Sequence, residues 1–115
     1  ATLRNCIVYG SMDSELICDA ASQAAASLNL DHCLVKTGKV IESFVHMTGC
    51  LVSQTPDFKF DPLFKNVNSG DFHLKSGSPA INAGVSVPNI GSKDLDGNNR
   101  VEESSIDMGC YEYKP

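Results

Sequence analysis

Leu3-Arg4-Asn5-Cys6-Ile7-Val8 returns as Leu30-Asp31-His32-Cys33-Leu34-Val35, and a looser third copy reads Met47-Thr48-Gly49-Cys50-Leu51-Val52. The shared pattern is a large apolar residue, two variable positions, then Cys, a branched aliphatic residue and Val. The first two copies lie 27 residues apart and the third follows after 17. At the first offset Glu15-Leu16-Ile17-Cys18 also falls on Glu42-Ser43-Phe44-Val45, so the match reaches beyond one strand. Short apolar runs with β-branched residues, set between Gly, Ser, Asp and Asn, predict strands. Repeats that each offer a few short strands suit a parallel β-solenoid, in which every coil covers the apolar face of the one before it. A β-sandwich with strands at similar intervals is the alternative. Both are all-β.

Outward from the repeats the texture changes twice. Residues 19–28, DAASQAAASL, predict a short alanine-rich helix capped by Asp19 or Ser22 and inserted at a corner of a coil. From Asp57 onward, turn signals come every few residues, at Asp61-Pro62, Asn68-Ser69-Gly70-Asp71, Ser76-Gly77-Ser78-Pro79 and Asp96-Gly97-Asn98. Between them stand very short predicted strands, such as Phe72-His73-Leu74 and Val85-Ser86-Val87. Residues 1–56 read as terminal coils and 57–115 as a loop-rich cap over the open solenoid end, together one structural unit.

With 115 residues and 12.3 kDa the chain holds one modest core and excludes two full domains. Fourteen acids against nine Lys and Arg give a net charge of −5 with no basic block, which argues against nucleic acid. No apolar run approaches the roughly 20 residues a membrane span needs, and the first ten residues lack the order of a signal peptide. A soluble monomer is expected.

The second half resembles a known group. Asp61-Pro62-Leu63-Phe64, the run from Gly70 to Gly84 (GDFHLKSGSPAINAG), Asp94-Leu95-Asp96-Gly97-Asn98-Asn99-Arg100, and Ile106-Asp107-Met108-Gly109-Cys110-Tyr111-Glu112-Tyr113 are similar, in order, to the C-terminal signature of bacterial right-handed parallel β-helix proteins of the choice-of-anchor Q type. Asn82 stands where the group often has Asp, and Cys110 where it usually has Ala. The resemblance implies the final coils of such a helix, an extracellular or cell-surface location, and a parent concerned with carbohydrate. Relatives of this fold include polysaccharide lyases and glycoside hydrolases, whose sites lie on central coils that this chain does not display.

Candidate chemistry follows from residue type and spacing. Cys6, Cys33 and Cys50 share a repeat position and are expected to stack inside the coil as small hydrophobes, with a disulfide between coils as the alternative. Asp94-Leu95-Asp96-Gly97-Asn98 offers alternate oxygens, so Asp94, Asp96 and Asn98 are candidate calcium ligands, although Asp-Gly is equally a hairpin turn signal. Glu15 and Glu42 fall one coil apart, about 4.8 Å in backbone spacing, within reach of the carboxylate pairs of glycoside hydrolysis. Repeated surface acids give the same pattern. Arg4, Lys36 and Lys39 are candidate cations for a lyase, otherwise ion-paired on a solvated face. His32 and His46 lack an assignable nucleophile, and alternation turns His73 toward solvent. Tyr111 and Tyr113, on one face of an expected last strand, are candidate carbohydrate platforms, with sealing of the core as the other reading. Three functions stand side by side: a structural terminal cap, a fragment of a polysaccharide lyase or glycoside hydrolase, and a glycan-binding module.

Overall fold

The computed structural model describes residues 1–17, 27–38, 44–54, 58–101 and 105–115. Eight short strands and one 3₁₀ turn make up its regular structure, with no α-helix among the described residues. The class is all-β. The helix expected over 19–28 lies outside the described residues, except that Leu28 opens a strand.

Each sequence repeat forms two strands. They are β1 (Thr2–Arg4) and β2 (Ile7–Val8), β3 (Leu28–Asp31) and β4 (Leu34–Thr37), β5 (Val45–Thr48) and β6 (Leu51–Gln54). First strands pair in parallel as β1-β3-β5 and second strands as β2-β4-β6. In register Leu3 faces Leu30 and Leu30 faces Met47, while Ile7, Leu34 and Leu51 align in the second sheet. These are the partners that the 27- and 17-residue offsets predict.

A bend in each repeat separates the two sheets. Asn5, His32 and Gly49 occupy it, with φ of 53°, 51° and 61°. Only Gly and, less often, Asn or His adopt this left-handed conformation readily, which accounts for polar or small residues between two apolar strands. The ladder runs on through the bend, since Asn5 N donates to Asp31 O and His32 N to Thr48 O. The thiols of Cys6 and Cys50 donate to the Arg4 and Leu30 carbonyls, and Cys33 Sγ donates to Leu3 O.

Strand alternation splits the second sheet between two cores. Val8 and Val35 turn toward Leu3, Leu30, Cys6, Cys33 and Cys50. Ile7, Leu34 and Leu51 turn the other way, onto Leu74, Ala80, Met108, Phe60 and Phe64 of the C-terminal half. Full burial of side chains such as Leu30 and Leu34 contributes about 1.5–3 kcal/mol each.

Two expectations change here. The C-terminal half packs along the flank of β2-β4-β6, whereas Met47 on the edge strand β5 stays 38% exposed. Lys36, expected on a solvated face, is buried because that flank is covered. Its Nζ donates to Gly10 O at 3.1 Å and lies 4.7 Å from the Phe58 ring centre and 5.1 Å from that of Tyr9.

The C-terminal half contains one antiparallel pair, β7 (Phe64–Asn66) with β8 (Asp71–Leu74) around a 3₁₀ turn at Val67–Ser69. Val85-Ser86-Val87 forms no strand. Instead the Asn5 side chain bonds both backbone groups of Val85, with Nδ2 donating to its carbonyl at 2.9 Å and Oδ1 accepting from its N–H at 2.8 Å.

Candidate functional site

Where the flank of the first repeat meets the C-terminal half, a groove of about 900 Å³ opens. The β1–β2 bend supplies Arg4, Asn5 and Cys6, and Tyr9 follows. The opposite wall comes from Phe64 and Phe72 on β7 and β8, from the loop carrying Asn89 and Lys93, and from Arg100 and Tyr111. Four aromatic rings therefore share this space. Phe64 and Phe72 meet edge to face at 5.4 Å, and Phe72 remains 44% exposed.

Tyr111 is fixed from behind by His73, whose ring stacks on it at 3.9 Å and 20°. His73 keeps a side chain 32% exposed, partly facing solvent as alternation suggested, but the turn at Asp96 also engages it. Its Nδ1 meets Asp71 Oδ1 at 2.5 Å and its Nε2 meets Asp96 Oδ2 at 2.6 Å. The Asp96 carboxylate, and then that of Asp71, hold the imidazole above its ordinary pKa, while His73 draws the Asp71 carboxyl below its own. Both ring nitrogens are engaged by acids. The group is thus a clamp tying β8 to the 94–98 turn, not a base beside a nucleophile.

Of the two candidate platforms, Tyr111 lines the groove. Tyr113 lies apart from it, half-buried in the core beside Leu74 and lining a small pocket of about 170 Å³ with Lys65, His73 and Asp96. No strand carries the pair, because residues 106–115 run as irregular chain held by side-chain bonds.

Asp94, Asp96 and Asn98 form the tight turn that the Asp-Gly signal indicated. Gly97 sits at φ 85°, Gly97 N donates to Asp94 O, and Lys93 and Asn99 make an antiparallel bridge. Asp94 is buried and accepts four bonds, from Asp96 N, Asn98 N, Asn98 Nδ2 and Glu112 N. Burial works to raise its carboxyl, but these donors outweigh it and hold the group below the usual range. Asp96 turns to His73, so the two carboxylates serve different partners. Among the described residues no group of three or more His, Cys, Asp or Glu is placed to hold a metal.

The remaining candidates are dispersed. Glu15 accepts from Met12 N at 2.6 Å, while Glu42 and Lys39 lie outside the described residues. Arg4 pairs with Asp31 at 2.6 Å, and Asp31 also meets His32 at 2.7 Å; His46 is exposed. Cys6, Cys33, Cys50 and Cys110 are free thiols, and burial pushes Cys33 up. Desolvation likewise raises Cys110, which disfavours the thiolate a nucleophile needs. Lys93 and Arg100 are groove residues that sequence reading missed. Their only signal was position, Arg100 closing the Asp94–Arg100 motif and Lys93 directly preceding it. Comparison with protein-family models, with curated proteins and with solved structures finds no match.

Proposed function

We propose that this chain forms the final coils of a right-handed parallel β-helix, sealed along its flank by a C-terminal cap, in a secreted or cell-surface bacterial protein concerned with carbohydrate. Its own role on this reading is structural. The observation that carries the reading is register: two separate parallel sheets repeat the same 27- and 17-residue offsets, as strands wound around a common axis would. The residues behind the resemblance also behave as scaffold. Ala80, Ile106 and Met108 are fully buried, and Asp94, Asp107 and Glu112 are buried acceptors for backbone N–H groups. The location and the link to carbohydrate rest on the resemblance alone.

A chain truncated to residues 1–56 tests this directly. The flank formed by Ile7, Leu34 and Leu51 would be bare, and such a surface associates. Sizing by light scattering with circular dichroism should find aggregation or loss of β structure, against a folded monomer for all 115 residues. A folded, monomeric 1–56 would sink the structural role of the cap.

A second reading, a glycan-binding module, is favoured by the groove, whose volume and exposed Phe72 ring suit a sugar chain. Calcium at Asp94 and Asp96 belongs to this reading as an accessory, tested by adding the ion. The lyase or hydrolase reading finds no acid–base pair among the described residues to carry it.

A further inference from the structure

Three rings that line the groove are each braced by a neighbour. Tyr111 stacks on His73 at 3.9 Å, the Lys36 ammonium lies 5.1 Å from the centre of Tyr9, and Phe72 meets Phe64 edge to face at 5.4 Å. His73 and Lys36 stand outside the lining, so the rings they hold present fixed surfaces to it. The loop beside Phe72 is fixed as well. Val87-Pro88-Asn89-Ile90 closes a tight turn, with Ile90 N donating to Val87 O at 3.3 Å and Asn89 at φ 70°, the pattern of a type II turn with proline second and asparagine third. Pro88 and Asn89 are exposed on it. Among the described residues, the Tyr9 and Tyr111 hydroxyls and the Asn89 amide have no hydrogen-bond partner, and the lining contains no carboxylate. Arg4 and Arg100 already pair with Asp31 and Glu112, so net charge selects nothing here.

From these braced rings and unpartnered neutral donors we infer that the groove takes a proline-rich segment of a partner protein in the polyproline II conformation. Such a segment is a stiff helix with a rise of about 3.1 Å per residue, and it seats its pyrrolidine rings between aromatic side chains. Its carbonyls have no internal partners and its prolines carry no N–H, so it calls for donors and not for acceptors. The Tyr9 and Tyr111 hydroxyls and Asn89 Nδ2 are such donors. Groove and ligand are both ordered beforehand, which lowers the entropy lost on binding. An acyl chain would cover the same donors and leave them unpaired. A sugar chain also stacks on rings, but its hydroxyls donate as well as accept, and no carboxylate is there to receive them. The inference is independent of the structural role and gives the groove an occupant other than the glycan of the second reading.

The test is an amide NMR titration of the full chain with a proline nonapeptide, beside a Gly-Ser peptide of equal length and cellohexaose. The proline peptide should give saturable shifts clustered at Phe72, Asn89 and Tyr111, with a Kd below about 1 mM, and the Gly-Ser peptide should bind at least about tenfold more weakly. Phe72→Ser should weaken the proline peptide about tenfold. Asn89→Gly keeps a residue suited to the left-handed turn and Tyr111→Phe keeps the ring, so both should retain native dispersion while weakening binding about three- to fivefold. Should Phe72→Ser unfold, these two variants decide the matter. Unchanged affinity in both overturns the inference, as does the absence of localised shifts up to about 10 mM peptide. Equal binding of the Gly-Ser peptide also overturns it. Tighter binding of cellohexaose overturns it and leaves the glycan reading standing.

Discussion

The two halves of the molecule are held together by different physics. In the N-terminal repeats, parallel ladders satisfy the backbone and aligned apolar residues fill the space, so each element is specified by a period. Among the described residues of the C-terminal half, one antiparallel strand pair and the isolated Lys93–Asn99 bridge form, and buried carboxylates do what strands do elsewhere. Asp94 gathers four N–H donors, Asp107 accepts from Asn82 N and Tyr113 N, and Glu112 accepts from Asp107 N. A loop-rich region can be well ordered when its backbone donors end on a few buried acceptors.

The strongest way to break this contrast is to delete one hub. Asp94→Ala leaves four donors unpaired, that of Glu112 N fully buried and the others part-buried, and should cost about 3 kcal/mol in denaturant unfolding, comparable to Leu30→Ala in the repeat core. If Asp94→Ala costs less than about 1 kcal/mol, the carboxylate hubs do not organise this half.

A smaller loss probes the seam. Asn5 holds a left-handed bend and straps Val85, and its carbonyl accepts from Gly109 N at 2.7 Å. Asn5→Ala should cost about 2 kcal/mol, because Val85 loses both partners. Faster hydrogen exchange should appear around Val85 and Gly109 before it appears in β4. Uniform acceleration across both halves would show that the seam does not open separately.

The smallest effect is a pH slope. Burial raises Glu112 to about 7 from an ordinary 4.5, with Asp107 and Asp94 adding to the shift. The folded chain therefore keeps a proton that the unfolded chain has released. The associated stability is full below about pH 4.5, declines as pH rises, and is gone above about pH 7. His73, also raised, adds a loss in the same direction above its ordinary 6.5. From Glu112 alone, stability should fall by roughly 1–2 kcal/mol between about pH 5 and about pH 8, and Glu112→Gln should remove that part of the slope. An unchanged slope in the variant would assign it to other groups.

The repeats were legible because a parallel ladder copies a sequence offset into a spatial neighbour. Leu3, Leu30 and Met47 align in the sheet as they align on the page. The left-handed bend was less visible, since Asn5, His32 and Gly49 share a conformation and not a side chain. Lys36 was not legible because its face depends on what covers β4, and Tyr9, Gly10 and Phe58 reach it from both directions along the chain. Tyr111 was found as a candidate, but its separation from Tyr113 and the cations beside it follow from how the C-terminal loops fold back.

The order of residues by itself determined the all-β class, the alignment of the three repeats and the turn at Asp96-Gly97, because each depends on local propensity or on a period. Tertiary structure alone decided that the C-terminal half lies on the flank, that Lys36 is buried, and that Arg4, Lys93 and Arg100 line one groove with Tyr111. Those contacts join residues up to about a hundred positions apart with no repeating interval between them, so no pattern along the chain encodes them.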